Sequence, residues 1–174
     1  MRVYIVRHGE VSSNVEKVYN RVDDYLNENG INQAKALGEK MRAIDYDVII
    51  SSPLIRAKET SQIINFKNKD ILYDARLSER DAGSFKGKSL DLTNRDEYWN
   101  YNTELVQGDE ENIRDFFKRV WSFLDELKSQ NYESVVISCH SGVSKAIRAY
   151  FEGLEDGFFL NKGLKNGEIS LYNF

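Results

Sequence analysis

The segment Val3-Tyr4-Ile5-Val6-Arg7-His8-Gly9-Glu10 carries most of the information about architecture. Four apolar residues in succession, without alternation, suit a strand covered on both faces, the condition of a parallel sheet between layers of helices. The tetrapeptide Arg7-His8-Gly9-Glu10 then lies at the strand's carboxyl end, where such sheets bind ligands. Two further runs read the same way. Val48 to Ile50 ends in Ser51-Ser52, and Val135 to Ile137 ends in Ser138-Cys139-His140-Ser141-Gly142. Ile71 to Tyr73 and Ile169 to Tyr172 are weaker strand candidates.

Helical periodicity separates these runs. Ile31, Ala34, Leu37 and Met41 mark one face of a helix from about Asn29 to Ala43. Ser52-Pro53 reads as a helix opening, with Ser52 as cap and the chain's single proline at the first helical position, followed by Ile55, Ile63 and Ile64. Ile113, Phe116, Phe117, Val120, Leu124 and Leu127 define a longer helix, with Asp109-Glu110-Glu111 as a solvated acidic start at the positive end of its dipole. A last helix is expected over about Val143 to Phe151. Alternating strands and helices predict an α/β fold, a three-layer α/β/α sandwich with a mainly parallel central sheet, with residues 1–174 as one domain.

With 174 residues, 41% apolar and 12% aromatic, the chain can bury one core, so wholesale disorder is excluded despite 30% charged residues. A formal charge of -4 gives no general attraction to nucleic acid or to an anionic membrane. Any anionic ligand must be held by a few cations gathered locally. Met1 to Val6 runs straight into charged residues, so neither a leader nor a spanning helix is expected there. Cys139 is the only cysteine, which leaves no intrachain disulfide and points to the cytoplasm.

The two histidines both stand at expected strand ends, and each is followed within two residues by a glycine that lets the backbone turn close to a ligand. Arg7 adjoins His8, and Arg56 falls in the first turn of the helix after Ser51-Ser52. Three strand ends thus bring two imidazoles and two guanidiniums to one rim. Taken singly, each has a plainer reading: a histidine hydrogen-bonded for structure, an arginine exposed on a helix. Cys139 beside His140 invites a thiol nucleophile, but neighbours on an extended strand point to opposite sides, so it reads as a small buried residue. Phe116, Phe117 and Phe123 read as core.

Five motifs, taken in order, resemble the histidine phosphatase superfamily, also called the phosphoglycerate mutase-like family, over nearly the whole chain. They are Arg7-His8-Gly9-Glu10 with Asn14, Asn29-Gly30-Ile31-Asn32-Gln33-Ala34, Ser51-Ser52-Pro53-Leu54-Ile55-Arg56-Ala57 with Thr60, Leu77-Ser78-Glu79-Arg80-Asp81-Ala82-Gly83, and Ser138-Cys139-His140-Ser141-Gly142-Val143. The resemblance implies that His8 is a nucleophile carrying the phosphoryl group as phosphohistidine. It implies that Arg7, Arg56 and His140 surround that group and offset its charge, with His140 protonated when the ligand is bound. Glu79 matches the residue that protonates the leaving oxygen and then deprotonates water. Glu10, Asp74 and Asp81 lie near it in sequence, and the setting Leu77-x-Glu79-x-x-x-Gly83 favours Glu79. Asn14 and Ser141 match substrate contacts. No cofactor or metal is implied, since two isolated histidines without a carboxylate at ligand spacing make no zinc motif.

The chain departs from the family pattern at Val11, where threonine is usual, and at Tyr19-Asn20-Arg21. Residues 85–108 occupy the place of a substrate-covering segment and carry Lys86, Lys88 and Arg95 as their only basic side chains. Mutases of the family resemble longer chains with a larger lid and tail, whereas this chain ends at Phe174. The expected activity is therefore that of a phosphoric monoester hydrolase of the histidine acid type, acting on a small phosphorylated metabolite such as a sugar phosphate, phosphoglycerate, nucleoside monophosphate or ribazole phosphate. The alternatives are a phosphoglycerate mutase and an inactive member that binds phosphorylated ligands.

Overall fold

The computed structural model describes residues 1–154, 156–157 and 159–174. The three apolar runs form adjacent strands of a sheet ordered β3-β2-β4-β1-β5, with β1 (Arg2–Arg7), β2 (Val48–Ser51), β3 (Ile71–Tyr73), β4 (Ser134–Cys139) and β5 (Ile169–Asn173). β1, β4, β2 and β3 are parallel, and β5 pairs antiparallel with β1 at the edge. The helices are α1 (Ser12–Glu16), α2 (Glu28–Met41), α3 (Ile55–Ile64), α4 (Arg95–Tyr98), α5 (Ile113–Lys128) and α6 (Ser141–Glu152).

Burial on both sides explains why the central strands are continuously apolar. Val3, Ile5, Val48, Ile50, Val135 and Ile137 pack with Phe116, Phe117 and Val120 of α5 and Val143 and Ile147 of α6. Val6, Ile49 and Val136 pack on the other face with Leu37 and Met41 of α2 and Ile64 of α3. This is the three-layer sandwich. Phe116 and Phe117 are fully buried, and truncating either to alanine costs about 3–5 kcal/mol. Among the described residues no helix is long and apolar enough to cross a membrane.

Four local expectations need correction. The buried stripe of α2 is Gly30, Ala34, Leu37, Gly38 and Met41, while Ile31 is 36% exposed. Gly30 takes the inner position because a Cβ there would strike the Glu10 backbone. α3 begins at Ile55, two residues beyond Pro53, with an extended Leu54 as its N-cap, while the hydroxyl of Ser52 accepts the Leu54 amide at 3.2 Å and faces His140. α5 is capped by Asn112, which accepts the Arg114 amide at 2.8 Å. Asp109-Glu110-Glu111 precede it, and only Asp109 is exposed as expected, accepting the Ser84 amide at 2.6 Å; Glu110 is buried and Glu111 pairs with Arg119 at 2.6 Å. Finally, α6 starts at Ser141, with His140 extended (φ -124, ψ 170) as its N-cap.

Candidate active site

Because β2, β4 and β1 are neighbours, their carboxyl ends converge. β1 delivers Arg7 and His8, β4 delivers His140, and the first turn of α3 delivers Arg56. The rings of His8 and His140 have centroids 5.1 Å apart, and both are buried. Arg56, 2% exposed, donates from Nη1 to the Arg21 carbonyl at 2.9 Å, and Arg7 donates from Nη1 to the Leu164 carbonyl at 2.8 Å. Nε of Arg7, Nε of Arg56 and Nδ1 of His140 are buried without a hydrogen-bond partner. Buried donors are rarely left unpaired. The two arginine Nε groups are donors that an anion would satisfy, and the role of His140 Nδ1 follows its tautomer.

The proton on His8 is assigned by its partner. Nδ1 lies 2.7 Å from the Gly9 carbonyl oxygen, and a carbonyl only accepts, so Nδ1 carries the hydrogen. The neutral ring then presents its lone pair at Nε2. Burial, then the charges of Arg56 and Arg7, hold the His8 pKa well below its ordinary value. Burial, then Arg56, His8 and Arg7, do the same for His140. The His8 imidazole is thus kept neutral, the form in which a ring nitrogen can act as a nucleophile. The sequence expectation of a protonated His140 concerns a site with a ligand bound. Its Nε2 lies 2.8 Å from Ser52 Oγ. Thr60 ties the groups together, since Oγ1 accepts the Gly9 amide at 3.2 Å and donates to the Arg56 carbonyl at 2.8 Å.

Glu79 lies at the opening of α6. Its Oε2 accepts the Gly142 amide at 3.0 Å and its Oε1 the Arg80 amide at 3.0 Å. Gly142 leaves room for this approach, because a Cβ there would displace the Glu79 carboxylate. The other acids have partners of their own: Asp74 with Arg76 at 2.7 Å, Glu10 with Asn27 at 3.0 Å and Asn29 at 3.1 Å, and Asp81, which lines the same cavity as Glu79, with Lys86 at 2.6 Å. Cys139 is a buried core residue whose thiol pKa is pushed up by burial, as its strand position suggested.

A cavity of about 570 Å³ is lined in part by Arg7, Asn14, Arg56, Glu79 and Ser141, while the buried His8 and His140 are not among its lining residues. Asn14 Oδ1 accepts from the Val11 amide at 3.2 Å and from Asn166 Nδ2 at 3.2 Å. Lys86, Leu90, Arg95 and Trp99 line the same cavity, so part of the 85–108 segment forms its wall. Tyr19, Asn20 and Arg21, where the sequence departs from the family pattern, line it too.

Sequence reasoning missed Asn166, Arg80 and Lys145, all in the cavity wall. Asn166 donates to the His8 carbonyl at 3.0 Å and the Gly9 carbonyl at 3.2 Å, which holds the loop after β1. Lys145 is one α-helical turn past Ser141, and that spacing was a usable signal.

The family description "Histidine phosphatase superfamily (branch 1)" matches residues 3–174. The chain belongs to the histidine phosphatase superfamily. That description replaces the histidine acid type expected from sequence. Among its relatives, the Hydrogenobacter thermophilus protein named "Putative phosphoserine phosphatase 2" is 31% identical over 161 residues, covering 88% of this chain and 79% of that one. The Salmonella arizonae "Probable phosphoglycerate mutase GpmB" is 36% identical over 134 residues, 71% of this chain. The chain spans only 61% of that relative's length. The solved structure of Bacillus stearothermophilus YhfR superposes with a TM-score of 0.84 at 25% identity, covering 98% of this chain and 89% of that one. Members of this superfamily thus carry both phosphatase and mutase names, on one fold.

Proposed function

We propose that the protein hydrolyses a small phosphomonoester through a phosphohistidine on His8. The observation that carries this reading is the Nδ1 contact of His8 with the Gly9 carbonyl at 2.7 Å, which leaves Nε2 as a free nucleophile beside Arg7 and Arg56. Nε2 attacks phosphorus, the P–O bond of the ester breaks, and Glu79 gives a proton to the departing oxygen. Arg7, Arg56 and His140 offset the charge on the equatorial oxygens. In the second step Glu79 takes a proton from water, whose oxygen attacks phosphorus, and the P–N bond breaks to return His8 and release phosphate. Asn14 and Ser141 contribute polar contacts to the bound ester. The segment 85–108, through Arg95 and Trp99, covers it.

A phosphoglycerate mutase is the second reading, favoured by one observation. The cavity draws cations from beyond the 85–108 segment, namely Arg21, Arg80 and Lys145, so a scarcity of basic residues in that segment does not argue against a doubly phosphorylated intermediate. Water must be kept from the phosphohistidine for a mutase to work. The discriminating experiment supplies 3-phosphoglycerate with a bisphosphoglycerate primer and compares phosphate release with formation of 2-phosphoglycerate. Hydrolysis is expected to dominate. Isomerisation much faster than hydrolysis would overturn the assignment.

A further inference from the structure

Resting on the hydrolase reading with Glu79 as its acid and base, we propose that Arg119, paired with Glu111, is a positioning residue that fixes the backbone of Glu79 from outside the cavity. Residues 79–82 form neither helix nor strand, so no regular ladder of hydrogen bonds holds the stretch that carries the carboxylate. Arg119, on α5, supplies partners instead. Its Nη1 donates to the Arg76 carbonyl at 2.6 Å and the Ser78 carbonyl at 2.9 Å, and its Nη2 to the Glu79 carbonyl at 3.1 Å. The remaining N–H groups hold Glu111 in a fork, Nε on Oε1 at 2.6 Å and Nη2 on Oε2 at 2.9 Å. Glu111 continues the clamp on the far side of Glu79. Its Oε2 accepts the Asp81 amide at 3.1 Å, its own amide donates to the Asp81 carbonyl at 2.8 Å, and its carbonyl accepts from Nε of Arg80 at 2.7 Å.

All five donors of the Arg119 guanidinium are used in this way. A lysine, with its donors on one nitrogen, cannot span acceptors spread over three carbonyls and a carboxylate. An ion pair near the surface contributes little to stability by itself, whereas the bonds to the 76–79 carbonyls act on one particular stretch of main chain. Neither Arg119 nor Glu111 is among the residues lining the cavity, so their effect on the ester must pass through Glu79. The carboxylate end of Glu79 is held by the amides of Gly142 and Arg80, and the Arg80 amide belongs to the clamped stretch. With that stretch released, the carboxylate and one of its two donors drift together. A displacement of about 1 Å in a catalytic group costs on the order of 10² in rate, and here the loss falls on protonation of the leaving oxygen.

The test compares kcat/KM for glycerol 3-phosphate and p-nitrophenyl phosphate in the wild type, Arg119→Met, Glu79→Gln and the double variant, with thermal unfolding of each. Arg119→Met should lose about tenfold or more on the alkyl ester and less than about threefold on the aryl ester, whose oxide leaves with less help from a proton. In the Glu79→Gln background the same change should add no further selectivity, because the group it positions is already gone. Arg119→Lys, which keeps the charge without the fork, serves if the methionine variant does not fold, and the same selectivity is expected of it. Equal losses on the two esters overturn the proposal, since a purely structural pair lowers the melting temperature and the activity without regard to the leaving group. No loss on either ester overturns it too, as does a selectivity that adds in full to that of Glu79→Gln. Failure of the underlying reading shows separately, as a Glu79→Gln protein without selectivity or a wild type that hydrolyses neither ester, and either result removes the proposal with it.

Discussion

Gly142→Ala adds one methyl group, and the structure says what it meets. The new carbon would stand 2.6 Å from the Trp99 ring and closer still to the Glu79 carboxylate, against an ordinary contact of 3.4–4 Å. The carboxylate must retreat by about 1 Å, a displacement that costs on the order of 10² in rate when it moves a catalytic group. That equals about 2.7 kcal/mol of barrier, in line with losing the charged hydrogen bond from the Gly142 amide, about 1.5–3 kcal/mol. Alanine is favoured over glycine within a helix by about 1 kcal/mol, so global stability should change little. The assay is kcat/KM, which reports only the phosphorylation step, for glycerol 3-phosphate and for p-nitrophenyl phosphate. The alkyl ester should lose on the order of 10², and the aryl ester, whose oxide leaves with less help from a proton, about tenfold or less. Glu79→Gln should show the same selectivity. Equal losses on both esters, or none, would refute the placement of Glu79 as proton donor at the mouth of α6.

Other consequences follow from the same geometry. His8 and His140 are held neutral in the fold but titrate near 6.5 when unfolded, so below about pH 6.5 the unfolded chain binds two more protons. Stability is then present above that pH and is lost as pH falls, with a slope approaching about 2.7 kcal/mol per unit for the pair. Urea titrations between pH 5 and 7.5 check this, and His140→Gln should halve the slope; a flat profile would contradict it. Thr60→Val strands the Gly9 amide and should cost about 1–3 kcal/mol in thermal or urea unfolding, with a fall in kcat because Gly9 holds His8. On the proposed reading, in which Arg7, Arg56 and His140 meet the phosphoryl charge, turnover should survive exhaustive chelation and vanadate should inhibit competitively. Restoration of a lost activity by magnesium or zinc would count against that cradle.

The layered fold and the core of the site were legible because both depend on burial that leaves a pattern. β1, β2 and β4 are covered on both faces, so their apolar runs are unbroken, and residues at their carboxyl ends must share one rim. Helix starts were misplaced where a capping side chain serves the site. Ser52 faces His140, and His140, the residue after β4, takes the N-cap position of α6 without a side-chain cap hydrogen bond. Ile31 misled because the inner position of α2 belongs to a glycine, chosen for backbone approach to Glu10. Lys145 was not recognised because a lysine within a helix ordinarily reads as solvated; its burial depends on Trp99 and Gly163, distant in sequence. Asn166 belongs to a stretch without periodicity, and only the fold brings it beside the His8 loop.

The role of His8 is tested most directly by rapid quenching of the protein with phosphate-labelled p-nitrophenyl phosphate. Label should appear on the protein within the first turnover, stable to base and labile to acid, located on His8, and lost when His8→Ala is used. Dephosphorylation slowed by Glu79→Gln should make it accumulate. Turnover by His8→Ala at the wild-type rate, or steady hydrolysis without any labelled protein at quench times shorter than one turnover, would contradict a phosphohistidine on this residue.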